Sequence, residues 1–347
     1  MTDRTRRRAL IIAATASAAV ATLGLVLRNA RLARRAEAAN PPRGRVGRFG
    51  GVAVHWIDTD PEGRRTEGPP VVLLHGNLVT LEDWIASGVV DRLAAAGRRV
   101  VAFDRPGFGH SERPVGGRWG ASEQAALLRR AARALGVERP VVVGQSWGAL
   151  VALAWGLDAP EEVSGVGFVA GYVFPSARPD AVFVAPAATP GLGLALRHTV
   201  APPFARATLD PTLRGMFAPL PVPPRFRALF SRDLVSRPSQ IRATASDGAI
   251  MVGEARGLLD RLRAMPEPAR PPLAVVAGLE DRVADAEAQG VRLARETPRS
   301  RLLLVRGAGH MVHHAAPEAV AEAILALGPD AAPEPAPARE VAAEAVR

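Results

Sequence analysis

The chain has 347 residues, 48% of them hydrophobic, so it can bury the core of one large domain or two small ones. Its formal charge of +10 is local: residues 1–48 hold 11 Arg against Asp3 and Glu37, leaving 33 Arg and 32 acids over the other 299 residues, which gives nucleic-acid binding no support. Cysteine is absent, which excludes disulfides, Cys metal sites and a Cys nucleophile, and Lys is absent too.

Residues 1–8 form a basic flank with Arg4, Arg6, Arg7 and Arg8, and residues 9–27 read ALIIAATASAAVATLGLVL, 19 positions without a charge. As a helix this run spans about 28 Å at ~1.5 Å per residue, close to one bilayer core. Arg28, Arg31, Arg34 and Arg35 follow and open a basic linker over 28–47. Charge at both ends predicts a single-pass membrane anchor, or an uncleaved signal. Two alternatives stay open. One is a buried helix of a soluble chain. The other is a cleaved export signal, for which TRRRAL resembles a twin-arginine motif and AEA at Ala36–Ala38 a cleavage site. Four arginines between the run and that site argue against cleavage. Arg is equally dense on both sides, so the positive-inside rule assigns no orientation.

Farther on, the runs VVLLHG (71–76), VVAFDRPG (100–107), VVVGQS (141–146), LAVVAG (273–278) and LLLVRG (302–307) suit strands buried on both faces. Amphipathic stretches lie between most of them, such as SEQAALLRRAARALG (122–136), with Ser122 and Glu123 as a start and Gly136 as a stop. The alternation predicts an α/β fold over residues 48–328: a doubly wound, mostly parallel sheet with helices on both faces. Residues 174–265 are rich in Pro, Ala and Leu with no clear strand, which predicts a helical insertion acting as a lid; a poorly ordered linker is the alternative. Phe183, Leu192, Leu194, Leu209, Phe217 and Phe226 suit the walls of an apolar pocket there, and suit equally well the glue between lid and core. Residues 329–347 are low in complexity and read as a disordered tail.

VVVGQSWGALVALAW places Ser146 between Gly144 and Gly148, where a buried strand gives way to an apolar helix. At a strand-to-helix elbow a serine sits on a strained turn, and flanking glycines leave room where a side chain would clash. The pattern is short, and a small residue in a tight turn would read the same. A hydroxyl is a poor nucleophile without a base, so an acid and a histidine must follow at comparable strand ends. Asp281 lies three residues past Gly278, and His310 lies in a Gly-rich loop before a helix starting near Pro317. Three loops thus converge on the carboxyl edge of one parallel sheet, where open α/β sheets place their sites.

On these residues the chain resembles the α/β-hydrolase superfamily. LLHGN is similar to its HG loop, DRPGFGHSERP to its D-x-x-G-x-G-x-S segment, and GQSWG, GLEDRV and GAGHMVHH to its nucleophile, acid and histidine loops, in the family's order. The resemblance covers residues 48–328. It implies Ser146 as nucleophile, His310 as general base and acid, and Asp281 as the group that orients the imidazole. The backbone N–H groups of Asn77 and Trp147 are the implied oxyanion donors, with Leu78 the alternative to Asn77. An acyl-enzyme route on an apolar small-molecule ester follows, with no metal and no organic cofactor. The Trp147 ring is a candidate pocket wall; other substrate contacts, and the oligomeric state, are not legible.

Ser146 departs from the Asp nucleophile of epoxide hydrolases and haloalkane dehalogenases. Carbon–carbon bond hydrolases, cofactor-free haloperoxidases and proline-releasing aminopeptidases keep Ser and stay open as alternatives. The last need acids to hold a free amine, and residues 174–265 show no acid cluster. A membrane-tethered binding protein with a silent triad is the non-enzyme alternative. His310, His313 and His314 have metal-like spacing, yet Met311 stands where a zinc-protease helix carries Glu. No metal is therefore expected, and His313 and His314 read as partly exposed residues at a helix start. His75 reads as a hydrogen-bonding support of the HG loop, Asp104, Arg105 and Ser111 as turn and loop-bracing residues, and Trp155 as core.

Overall fold

Backbone groups in buried apolar runs need partners, and here the runs supply them to one another. A computed structural model, which describes residues 3–60, 62–63, 67–176, 184–297, 299–328 and 338–344, places nine strands in one sheet. They are β1 (Arg45–Phe49), β2 (Val52–Asp58), β3 (Val71–Leu74), β4 (Val100–Phe103), β5 (Val141–Gln145), β6 (Gly165–Val169), β7 (Leu273–Gly278), β8 (Arg301–Arg306) and β9 (Arg339–Ala342). The order across the sheet is β1-β2-β4-β3-β5-β6-β7-β8-β9. β2 is antiparallel to both β1 and β4; every other pairing is parallel.

The first five helices are α1 (Asp3–Ala39), α2 (Glu82–Ser87), α3 (Val89–Ala95), α4 (Ala121–Ala134) and α5 (Trp147–Asp158). Side chains alternate across a strand, so a run with no polar position needs cover on both faces. Val72, Leu74 and Val142 join a core with Leu128 and Ala131 of α4 and Leu150 and Ala154 of α5. Val71, Leu73, Val141 and Val143 face the other way, onto Trp84 of α2, Leu93 of α3 and Val320 and Ile324 of the helix Pro317–Leu325. Each such buried Val or Leu contributes roughly 1.5–3 kcal/mol over leaving it in water. The doubly wound, mostly parallel sheet expected from the sequence is thus present, and its carboxyl edge carries the loops after β3, β4, β5, β7 and β8.

Between β6 and β7 run the helices Leu192–His198, Ala201–Phe217, Pro224–Leu229, Arg232–Val235 and Pro238–Ala264, with no strand among the described residues from 174 to 265. Much of the proline that gives this stretch a loop-like composition stands at helix starts: the helices from Ala201, Pro224 and Pro238 each carry Pro in their first turn, where no amide partner is lost. Leu209, Leu213, Phe217, Phe226 and Val235 are buried with Val79, Ala86 and Met311, so of the two roles open to Leu209, Phe217 and Phe226 the packing shows the glue. Phe183 lies outside the described residues. Ser122 is not the start of α4: the helix begins at Ala121, whose N–H donates to the Glu254 carboxylate at 2.8 Å, and Gly136, at φ +68°, follows its end.

Three boundaries differ from expectation. Residues 28–39 continue α1 rather than beginning a linker, because they hold no Gly or Pro and consist mostly of Ala, Arg and Leu, all strong helix formers. Pro41 and Pro42 close it, leaving residues 40–44 as the connection to β1. The tail is not wholly without structure: β9 pairs in parallel with β8, held by the backbone ladder and by the Arg339–Glu322 bond at 2.6 Å. An edge strand needs no apolar run, so composition alone could not reveal it. Residues 329–337 and 345–347 of the tail lie outside the described part.

Candidate active site

β5 ends at Gln145 and α5 begins at Trp147, so Ser146 alone makes the turn, at φ +53° and ψ −118°. A non-glycine residue held there costs on the order of 1–3 kcal/mol, and its surroundings must enforce it. They do so by close packing. A Cβ on Gly144 would collide with the Gly148 carbonyl, and one on Gly148 with the Leu74 and His75 carbonyls.

The expected acid and histidine reach this serine. His310 Nδ1–H donates to Asp281 Oδ2 at 2.8 Å, which leaves Nε2 to accept the Ser146 hydroxyl at 2.9 Å. Asp281 Oδ1 takes the N–H groups of Val283 and Ala284 at 2.7 and 2.9 Å, so the carboxylate is fixed from both sides. Asp281 and His310 are buried, and Ser146 is half-buried. Gln145, which sequence reasoning passed over, donates to the His310 carbonyl at 3.3 Å and ties the histidine loop to the elbow. Such a hydroxyl–imidazole–carboxylate chain can move a proton off the serine oxygen as that oxygen attacks.

The loop after β3 lies against the same serine: a Cβ on Gly76 would meet Ser146 Cβ at 3.2 Å. Arg105 N–H donates to His75 Nε2 at 2.9 Å, so His75 keeps its proton on Nδ1 and donates to the Gly76 carbonyl at 2.7 Å. Burial, then the charge of Arg105, lowers its pKa to about 4, so the ring is neutral at neutral pH. The Leu78 N–H is taken by the Asn77 side-chain oxygen at 3.2 Å. Trp147, first residue of α5, carries one of the amides that a helix start leaves without an intrahelical partner.

Arg105 holds this loop in place. Fully buried, it donates from Nε to the His75 carbonyl (2.8 Å), from Nη2 to the Gly76 carbonyl (3.1 Å), and from Nη1 to Gln124 and to Asp247 Oδ2 (2.8 and 2.7 Å). Asp247 also accepts from Arg113 at 2.6 Å. From the same helix, Pro238–Ala264, the Asp247 carbonyl takes the Trp147 indole N–H (2.9 Å) and the Thr244 carbonyl the Asn77 amide (3.1 Å). The Trp147 ring is buried under this network, with the Arg105 guanidinium 5.0 Å from its centre. Asp247 was invisible in the sequence because the partners of its carboxylate are more than 120 residues away.

A family model described as alpha/beta hydrolase fold matches residues 69–317. The chain belongs to the α/β hydrolase fold family. It is similar to haloalkane dehalogenase 2 of Mycobacterium tuberculosis, 35% identical over 115 residues, which are 33% of this chain and 36% of that protein. It is similar also to 2-hydroxy-6-oxo-2,4-heptadienoate hydrolase of Pseudomonas putida, 32% identical over 124 residues, 36% of this chain and 43% of that one. The chain thus spans well under half the length of either relative. Among solved structures, a thermophilic esterase of Thermogutta terrifontis superposes with a TM-score of 0.62 at 22% identity, covering 81% of this chain and 97% of that chain. At that identity the likeness is one of fold.

In this α/β hydrolase, His313 is buried rather than partly exposed as expected, whereas His314 is half-buried with its imidazole enclosed; both donate from Nε2 to Asp83 of α2, at 2.9 and 2.7 Å. Burial would raise the Asp83 pKa, but the two imidazoles outweigh it and hold the carboxylate well below its usual range. Burial, then His313, lowers the His314 pKa to about 4. The three donor atoms lie within 4.8 Å of one another. Both Nε2 atoms are bonded to the Asp83 carboxylate, His313 Nδ1 is buried without a partner, and the trio clamps the helix after His310 to α2. The link spans 230 residues of sequence, so spacing could not reveal it.

Two outcomes follow for the hydrolase. Asp247→Asn leaves two buried guanidinium groups without their carboxylate and should cost about 3–5 kcal/mol, read as a lower urea midpoint of the full chain in detergent. An unchanged midpoint would show that Arg105 is held by its carbonyl acceptors alone. Acid should destabilise the fold. Unfolded His75 binds a proton near pH 6.5, whereas the folded group resists to about 4. Stability is therefore complete above pH 6.5 and lost as pH falls toward 4, on the order of 3 kcal/mol from His75. His314 acts in the same direction. His55 is opposed: burial lowers its pKa, but the 2.6 Å bond to Asp104 and the charges of Asp104 and Glu82 together outweigh burial and raise it, so its contribution is lost as pH rises. Urea midpoints that stay level between about pH 7 and 4.5 would contradict a neutral, buried His75.

Proposed function

We propose that the chain is a serine hydrolase that cleaves an ester-type bond of an apolar small molecule through an acyl-enzyme. The observation that carries this reading is the bonded series Ser146–His310–Asp281 on a positive-φ elbow. His310 Nε2 takes the Ser146 proton as Oγ attacks the carbonyl carbon, and Asp281 stabilises the imidazolium without accepting its proton. The oxyanion is received by the Trp147 and Asn77 backbone N–H groups, fixed in advance by Arg105 and Asp247. The alcohol leaves with the proton from His310; water then attacks the acyl carbon by the reverse route and frees Ser146. The insertion acts as a lid that shapes the acyl pocket. Four of its acids do not suit a free amine: Asp210, Asp233, Asp247 and Glu254 are each bonded to arginine.

A second reading, carbon–carbon bond hydrolysis, is favoured by the 32% identity to the heptadienoate hydrolase. A fluorophosphonate probe should label the chain but not Ser146→Ala, and that variant should lose at least about 10⁴-fold in kcat/KM. A native chain that stays unlabelled would overturn the serine-hydrolase reading. p-Nitrophenyl esters of rising chain length, run beside vinylogous 1,5-diketones, separate the two: turnover of the diketones with negligible ester rates would select the second.

The reading includes a membrane anchor. The helix Arg4–Ala39 contains an 18-residue window of mean hydropathy 2.3, none of it buried against the rest of the chain. Cleavage after Ala38 would remove Asn29, whose side-chain amide donates to the His198 and Thr199 carbonyls at 3.0 and 2.6 Å, and Glu37, bonded to Arg237 at 2.8 Å. Those contacts support an uncleaved α1. Membranes washed with high salt and carbonate should retain the full chain; its release would remove the anchor.

A further inference from the structure

α1 leaves the domain at one place, and the surface beside that place is apolar. Residues 10–24 of α1 make no buried contact, whereas Asn29 is buried against the loop between the helices Leu192–His198 and Ala201–Phe217. Flanking that loop, Leu192, Leu194 and Val200 stand 59%, 55% and 52% exposed. Three large aliphatic side chains so open within nine residues are unusual on a surface that meets only water.

The depth of these side chains follows from the helix. The apolar run ends at Leu27, and Asn29 lies two residues on, about 3 Å along the axis. The headgroup zone is roughly 5–7 Å deep on each side of the hydrocarbon. With α1 in a bilayer, the carbonyls that bind Asn29 therefore sit within that zone. Val200 is next in sequence to Thr199, and Leu194 is one helical turn from His198. At this depth aliphatic side chains reach the acyl boundary, while Arg28 and Arg31 lie among the headgroups and Arg34 and Arg35, about 10–12 Å past Leu27, reach back to them with their long side chains, all four being exposed on α1. Four guanidinium groups there match an anionic lipid surface.

We propose that the loop around Leu192, Leu194 and Val200 is a second membrane contact, seated in an anionic bilayer surface beside the exit point of α1. This rests on the anchoring reading and goes beyond it. The insertion itself, and with it the helices next to the site, is held against the lipid.

The absence of cysteine makes the test direct. Single Val20→Cys, Leu194→Cys, Val200→Cys and Glu138→Cys substitutions, all at exposed positions of the full chain, would carry an environment-sensitive fluorophore. The labelled chains would be placed in phosphatidylcholine–phosphatidylglycerol vesicles whose lipids bear a nitroxide near the headgroup or deep in the acyl chain. The label at 20 should lose most fluorescence to the deep nitroxide and those at 194 and 200 to the shallow one. The label at 138, at the amino end of β5 on the opposite edge of the sheet, should lose it to neither. Quenching at 20 without quenching at 194 and 200 overturns the second contact and leaves the anchor standing. No quenching at 20 overturns the anchor, and the second contact with it.

Discussion

A guanidinium and a carboxylate with no solvent exposure meet where four segments of the chain converge. Taking Arg105 and Asp247 out of water carries a penalty of several kcal/mol per ion, which only a complete set of partners can offset. The set is complete in kind: carbonyls of His75 and Gly76, the amide of Gln124, and a second guanidinium from Arg113. The groups come from four pieces of chain: the loop after β3, the loop after β4, α4, and the helix Pro238–Ala264. None can withdraw without leaving a buried charge unpaired. The geometry around Ser146 follows from this, because the carbonyls that Arg105 holds belong to the peptides on either side of Gly76, and the next amide is that of Asn77. Trp147 is fastened to the same helix through its indole, so the two residues proposed as backbone donors rest on one electrostatic arrangement.

The segment between β6 and β7 is therefore not simply laid over a finished site. Its last helix supplies Asp247 and the Thr244 carbonyl, and Glu254 takes the first amide of α4. Farther forward, the Met216 carbonyl accepts the Met311 amide, one residue past His310, at 3.3 Å. A Cβ on Gly309 would collide with the Ala218 carbonyl. The chain ahead of Pro238 is thus tied to the histidine loop as well. The helix that follows is as much a wall of the site as the sheet is.

The sequence made the sheet legible where apolar runs were continuous. β3, β4, β5, β7 and β8 each lie within runs read directly from β-branched and leucine residues. β6 escaped because Gly165 and Gly167 interrupt its pattern, the second packed tightly against Val143, and β9 because an edge strand is recruited by its backbone. The same division runs through the site. Ser146, Asp281 and His310 could be placed because each follows a readable strand. Asp247, Gln124 and Asp83 could not, since their significance lies in partners far off in sequence and they stand in helices whose pattern reports only the buried face. His313 and His314 show the cost of reading locally: two polar residues at a helix start look like surface until Asp83 is known.

The connection between α1 and the domain is short and braced. Residues 40–44 separate the helix from β1, and Arg237 bonds at once to Glu37 of α1, to the Leu234 carbonyl and to the Gly109 carbonyl in the loop after β4. That loop begins with Asp104 and Arg105. A rigid helix joined through so few residues, and pinned again at Asn29, cannot act as a slack tether. On the anchoring reading, the plane of the bilayer then has a fixed angle to the sheet and to the edge that carries Ser146. The substrate's route to the serine would be set by that angle as much as by the shape of any pocket.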